Sequence, residues 1–299
     1  MAHVGTGVAV VGPGAVGSTV AACLHRAGHA VVLCGRSRRD RVEVRPDGAE
    51  PIIVPGPVHT DPGELSGPVE LVFLAVKATQ VDEVARWLTA LCDENTTVCV
   101  LQNGVEQTEH VQPLCPRSTV VPGIVWFGAE TQPGGWVRLR TKPVLTLPAW
   151  ADDVIDVLSG AGIVVTATGD SADFTTELWR KLLVNALAGF MVLCGRRSGI
   201  FRRDDIAKLS RAYLGECLAV ARAEGAALGD GVIDEMVGMF AKAPEDMGTS
   251  MLFDRQEQRP LEWDIRNGVI LRKARNHRLA APISEVIVAL LAAASDGPG

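Results

Sequence analysis

No run of about 18 apolar residues occurs in the 299-residue sequence, so nothing in it reads as a membrane-spanning helix. Met1 to Thr6 has neither a basic stretch nor an apolar core, so no secretory leader is read there. The seven cysteines, at 23, 34, 92, 99, 115, 194 and 217, form no C-x-x-C pair. That argues against a metal site and a disulfide framework, and for a reducing, cytoplasmic setting. Positive charge is not in excess either. The net charge of −6 gives a nucleic acid or an acidic membrane no electrostatic hold. Repeats and low-complexity segments are absent. What remains is a chain whose residues are 47% apolar, long enough for one large or two medium domains.

Gly7 to Val11 is an apolar run that fits a buried parallel strand. It feeds into Gly12-Pro-Gly-Ala-Val-Gly17, then a helix over Ser18 to Ala27 closed by Gly28, then a second strand, Ala30 to Cys34. Strand, glycine turn, helix and strand in that order fit a dinucleotide site. Gly12 makes the tight turn, Gly14 lets backbone amides approach a pyrophosphate, and Gly17 lets helix pack on strand. Gly12, Gly14, Ala15, Val16 and Gly17 are therefore candidate cofactor contacts, at the positive end of the helix. An NAD site usually carries an acid at the end of the second strand. Here the chain reads Cys34-Gly-Arg-Ser-Arg-Arg39, with no acid before Asp40. Three arginines and a serine suit the 2′-phosphate of NADP; the alternative is a solvated basic turn.

Residues 41 to 68, rich in Pro, Gly and Asp, read as an irregular excursion. Glu70 to Val76 is a buried strand with Lys77 just beyond it, and Thr97 to Leu101 is another, followed by Asn103. Ligands of open α/β sheets bind outside the carboxyl ends of strands, which makes Lys77 and Asn103 candidates. Val81 to Leu91 reads as an amphipathic helix. Further strands are read at Val120 to Phe127, Trp136 to Arg140 and Val144 to Leu147, the middle ones antiparallel. A helix over Asp152 to Gly160 and a strand over Ile163 to Thr166 follow, and strand signals then stop. The expected architecture is α/β: a Rossmann-type doubly wound domain over 1–169 and an all-α domain over 170–299.

In the second half, Glu177 to Asn185 reads as a helix with Lys181 and Asn185 on one face, one turn apart. A lysine and an asparagine so placed can hold a carbonyl, one giving a proton and the other a fixed hydrogen bond; a solvated surface pair is the alternative. Ile206, Leu209, Tyr213, Cys217 and Val220 mark a long helix ended by Gly225 or Gly229. Val232 to Lys242, a helix over Val269 to Arg278 and another over Ile283 to Ala294 complete the chain. The tail from Ser295 to Gly299 is expected to fray.

Together these residues resemble the ketopantoate reductase family of NADPH-dependent 2-oxoacid reductases, over nearly the whole chain. The matching motifs are Gly12-Pro-Gly-Ala-Val-Gly17, Ala75-Val-Lys77, Gln102-Asn-Gly104, Trp179-Arg-Lys-Leu-Leu-Val-Asn185, Thr249-Ser-Met-Leu252 with Asp254, and Glu262 through Asn267-Gly268. The resemblance implies that Arg36 holds the 2′-phosphate and that Lys77 and Asn103 contact cofactor and substrate. It implies that Lys181 is the catalytic acid, that Asn185 and Ser250 bind substrate, Ser250 at its carboxylate, and that Glu262 lies beside the lysine and among the cofactor contacts. Taken alone, Ser250 fits an N-cap or turn and Glu262 a solvated helix face. The implied chemistry is coherent: hydride addition to the keto carbon puts negative charge on oxygen, which Lys181 would stabilise and protonate. Glu262 would favour the charged lysine.

Gly189 and Met247 stand where the family usually has asparagines, and Trp263 where it tends to have a smaller aliphatic residue. These departures predict a pocket whose far end is less polar, and a substrate that is 2-dehydropantoate or a close relative. The expected protein is an enzyme with NADPH as cofactor, no metal, and a small-molecule 2-oxoacid as its partner, working as a monomer or homodimer. One alternative is an NADP-dependent β-hydroxyacid dehydrogenase or imine or opine reductase. Another is a non-catalytic NADPH-binding protein, which would need no Lys181.

Overall fold

The computed structural model describes residues 7–296 and divides into two compact units, Met1–Asp170 and Ser171–Gly299. The first unit opens with β1 (Val8–Val11), α1 (Ala15–Arg26) and β2 (Val31–Cys34). Next come β3 (Arg41–Pro46), β4 (Ile52–Pro55), β5 (Val58–His59), β6 (Leu71–Leu74) and α2 (Val81–Leu91). Then follow β7 (Thr97–Val100), α3 (Gln107–Val111), β8 (Thr119–Pro122), β9 (Ile124–Val125), β10 (Ala129–Thr131) and β11 (Val137–Leu139). β12 (Val144–Pro148), α4 (Asp152–Gly160) and β13 (Val164–Thr168) close it.

The main sheet has the order β5-β2-β1-β6-β7-β8, and every pairing in it is parallel. Ranked along the chain, its strands run 3-2-1-4-5-6, the Rossmann order, with the topological switch between β1 and β6. All four residues of β1 and of β6 are buried, as continuous apolar runs in a sheet covered on both faces should be.

Residues 41–68 are not irregular. They hold β3, β4 and β5, and β3 pairs antiparallel with β4 from Arg41↔Pro55 to Val44↔Ile52. This hairpin belongs to a second sheet, β10-β11-β3-β4, in which β11 runs parallel to β3 and antiparallel to β10. β3 buries Val42 and Val44 and exposes Arg41 and Arg45, the period of two of a half-buried strand. In a third sheet, β13-β12-β9, β12 is antiparallel to β9, as expected of the middle strands, and parallel to β13.

The second unit contains α5 (Ser171–Cys194), α6 (Asp204–Ala223), α7 (Gly231–Lys242), α8 (Ser250–Gln256), α9 (Val269–Asn276) and α10 (Pro282–Ser295). α5 is 24 residues long and extends the helix read at 177–185 in both directions. It carries Trp179, Leu182, Leu183, Ala186 and Leu187 into the core. Gly225, at φ 94°, follows the end of α6. Ahead of α9, Asp264–Gly268 forms a π-helical turn in which Val269 N–H donates to the Asp264 carbonyl. A side chain at Gly268 would strike the Asp264 carboxylate. Of the tail expected to fray, 297–299 lies outside the described residues. No helix among the described residues is long and apolar enough to cross a membrane.

Candidate functional site

In the first unit, the carboxyl end of β1 turns through the glycine loop. Gly12 N–H donates to the Cys34 carbonyl (2.9 Å) and Gly14 N–H to the Gly12 carbonyl (2.8 Å). A Cβ on Gly12 would lie 2.6 Å from Val76 Cγ1 and 2.8 Å from Val76 N, and Gly12 has φ 89°. A Cβ on Gly17 would strike the Gly12 carbonyl oxygen and lie 3.1 Å from Ala75 Cβ. Protein fills both places. Gly14 is different: it is exposed, and a Cβ there would meet nothing within 4 Å. The bond from Ser18 N–H to the Gly14 carbonyl (2.9 Å) begins the helical pattern. The amides of Ala15, Val16 and Gly17 therefore lie at the positive end of α1, where an anion is favoured.

The arginine run beyond β2 divides into three roles. Arg39 Nη2 donates to the Pro13 carbonyl (2.7 Å), which also accepts from Ser18 Oγ (2.9 Å), and burial pushes the Arg39 pKa down. Arg39 is thus a brace for the loop. Arg38 pairs with Glu64 (3.2 Å), which also meets His59 Nδ1 (2.8 Å). Arg36 is 71% exposed and 4.0 Å from Glu83. Its two terminal nitrogens lie 2.9 and 3.1 Å from the Gln80 side-chain oxygen once that amide is turned to accept.

Lys77 and Asn103, both half-buried, lie just past β6 and β7. Gln102 Nε2 donates to the Val76 carbonyl (3.0 Å), and Gln107 Nε2 to the Gln102 carbonyl (3.1 Å), tying the two strand ends together.

In the second unit, α5 carries Lys181, half-buried, and Asn185, buried. Burial and then the positive Arg266 guanidinium push the Lys181 pKa down to about 8. The net displacement is downward, with burial its largest cause. Glu262 has a strong partner of its own, since its Oε2 accepts from Arg266 Nη2 at 2.8 Å. Both side chains are buried, so Glu262 is no solvated helix face. The same Nη2 donates to Ser250 Oγ (3.0 Å). Ser250 begins α8 and is exposed, but the N-cap is Thr249, whose Oγ1 accepts from Leu252 N–H (3.4 Å).

Arg266 was missed in the sequence. The available signal was the Glu262–Arg266 spacing of four among Leu261, Ile265 and Val269, all buried. A charged pair at helical spacing within an apolar run is a buried pair in disguise.

Gly189 lies within α5, facing Asn267 and Leu291. A Cβ there would lie 3.2 Å from both Asn267 Nδ2 and Leu291 Cδ1. Asn267 is fully buried and donates from Nδ2 to the Ala186 carbonyl (3.0 Å) and to Tyr213 Oη (2.8 Å). Residue 189 thus abuts a buried amide in the helical core, and a side chain there would require that neighbour to shift by a few tenths of an ångström. Among the described residues, no group of three or more His, Cys, Asp or Glu side chains could hold a metal ion.

Comparison with known proteins agrees with this geometry. The sequence model of the family described as "Ketopantoate reductase PanE/ApbA" matches residues 8–152, and that of its C-terminal part matches 173–295. A protein of Mycobacterium tuberculosis named 2-dehydropantoate 2-reductase is 65% identical over 98% of this chain and 99% of its own. One of the same name from Caulobacter vibrioides is 34% identical over 97% and 99%. The solved structure of a dimeric ketopantoate reductase from Staphylococcus aureus matches with a TM-score of 0.87 at 28% identity, covering 98% of this chain and all of that one (100%).

Proposed function

Because the chain belongs to the ketopantoate reductase family, a family of pyridine-nucleotide-dependent oxidoreductases, we propose that it reduces 2-dehydropantoate to the 2-hydroxyacid with NADPH, Lys181 supplying the proton. The observation that carries this reading is Lys181 itself, an amine with a pKa of about 8 next to a buried guanidinium. The 65% identity to a protein named for that reaction supports the substrate. Family membership favours this reading over an imine, opine or β-hydroxyacid substrate and over a non-catalytic role.

The residues of the first unit fit the cofactor. The open space over Gly14, against the first-turn amides of α1, suits a pyrophosphate. Arg36, exposed beyond β2, suits a 2′-phosphate. Bound there, NADPH would supply the hydride. Lys77 and Asn103 would orient cofactor and substrate from the strand ends. In the second unit, Ser250 would hold the substrate carboxylate and Asn185 the keto oxygen. Lys181 would pass its proton to that oxygen as charge grows on it. Glu262 would hold the buried Arg266 in place as its counter-ion. A homodimer is in keeping with the dimeric S. aureus relative.

The direct test follows NADPH absorbance with 2-dehydropantoate and with its 4-deoxy analogue; no turnover of either would end the proposal. On cofactor choice, we expect kcat/KM with NADPH to exceed that with NADH by at least about tenfold, near 1.4 kcal/mol. Arg36→Asp should weaken NADPH and spare NADH. Equal use of the two by the unmodified protein would refute the role given to Arg36.

A further inference from the structure

Arg266 is 3% exposed. Burying a guanidinium costs several kcal/mol before its partners are counted, and an apolar side chain of similar volume often fills such a place with no loss of stability. Glu262 pairs with this one, yet its Nε is a buried donor with no hydrogen-bond partner. Packing alone gives no reason for such a residue.

The geometry at Ser250 supplies one. A hydroxyl has a single proton and two lone pairs. One Ser250 lone pair is occupied from within by Arg266 Nη2, so the hydroxyl proton is turned away from the guanidinium, toward the exposed side. Because Thr249 caps α8, the Ser250 oxygen has no competing duty at the helix end. A hydroxyl that accepts from a cation is polarised and becomes a stronger donor. An outward donor with a positive charge behind it suits an anion of the carboxylate kind.

We propose that Arg266 is a positioning residue for the substrate carboxylate, which fixes the Ser250 hydroxyl as a donor and lends it positive charge from behind. This rests on the reading of the protein as a 2-oxoacid reductase. Glu262 then serves as the counter-ion that holds Arg266 in place, through the 2.8 Å bond between them.

The test compares 2-dehydropantoate with its neutral carboxamide, in the unmodified protein and in Arg266→Met, Ser250→Ala and the double variant. Arg266→Met should raise KM for the acid by about tenfold or more, the usual worth of a hydrogen bond to a charged group. The ratio of kcat/KM for acid over amide should collapse with it. A purely structural defect would lower both substrates together and leave that ratio intact. Ser250→Ala should collapse the ratio likewise, and adding Arg266→Met should change it little further. Arg266→Lys should recover part of it. If Arg266→Met fails to fold, Glu262→Gln/Arg266→Met, which removes both buried charges together, is compared with the unmodified protein. An unchanged acid-to-amide ratio in Ser250→Ala, or in a folded Arg266 variant with parental NADPH affinity, overturns the inference. Failure of the unmodified protein to reduce any 2-oxoacid would instead sink the proposed function.

Discussion

Lys181→Ala should lower kcat by roughly 10²- to 10⁴-fold, the range for a positioned general acid, while the Kd for NADPH stays near its parental value. Hydride delivery to a ketone leaves an alkoxide, which needs a proton donor at the oxygen. An ordinary lysine holds its proton tightly; burial and Arg266 loosen it to a pKa of about 8. The sign follows from the acid role. The ammonium is the active form, so the rate is level below pH 8 and falls as pH rises through the pKa. The same limb should move to higher pH in Arg266→Met, which removes a nearby positive charge. Lys181→Arg keeps a charge that does not leave, and should remain poor. Rapid-reaction kcat and NADPH titrations on these variants decide the matter. An alanine variant within threefold of the parent would remove Lys181 from the chemistry.

Two alanine substitutions in the glycine loop should fail in opposite ways. Gly12→Ala is expected to lower stability by about 2–5 kcal/mol: about 1–2 for a side chain at positive φ and about 1–3 for forcing a methyl into filled space. That space belongs to the Val76 backbone and side chain, which cannot swing aside as an exposed lysine could. Gly14→Ala meets no protein atom, so its stability should change by no more than about 0.5 kcal/mol. Its methyl would instead occupy the space proposed for the pyrophosphate, and NADPH affinity should fall by at least about tenfold, near 1.4 kcal/mol. Chemical denaturation and NADPH titration of both variants separate the two effects. A Gly14→Ala protein with parental affinity would show that no phosphate approaches this amide.

The Rossmann core was legible because β1, β6 and β7 are short apolar runs placed beside a glycine turn, and both signals are local. The β3–β4 hairpin was not. Its alternation is only four to six residues long, and Pro46, Gly48 and Pro51, which build its turn, are the residues that mark loops elsewhere. α5 was found only in its middle because Gly189 sits inside the helix. Only the three-dimensional neighbours Asn267 and Leu291 show how tightly a side chain there would be packed. Lys181, Asn185 and Ser250 could be picked out through motif spacing. Their supporting partner Arg266 left only the weaker signal of a charge four residues after Glu262 in an apolar run, and such a pair ordinarily means a solvated surface. The reassignment of Ser250 from cap to held hydroxyl likewise needed the position of Thr249.

The π-turn at Asp264–Gly268 has an evolutionary corollary. It holds a residue more per turn than an α-helix, so it behaves like an insertion that has been kept, and wide turns of this kind recur at functional sites. Deleting a single residue there would restore ordinary helical winding. It would also rotate everything upstream by about 100° relative to α9, from 3.6 residues per turn. A deletion falling between Glu262 and Arg266 would also break the spacing of four at which the two meet. This part of the chain is keyed to its length as much as to its composition. Among diverging copies of the gene, single-codon gaps between Glu262 and Val269 should be purged more strictly than most amino-acid replacements in the same interval.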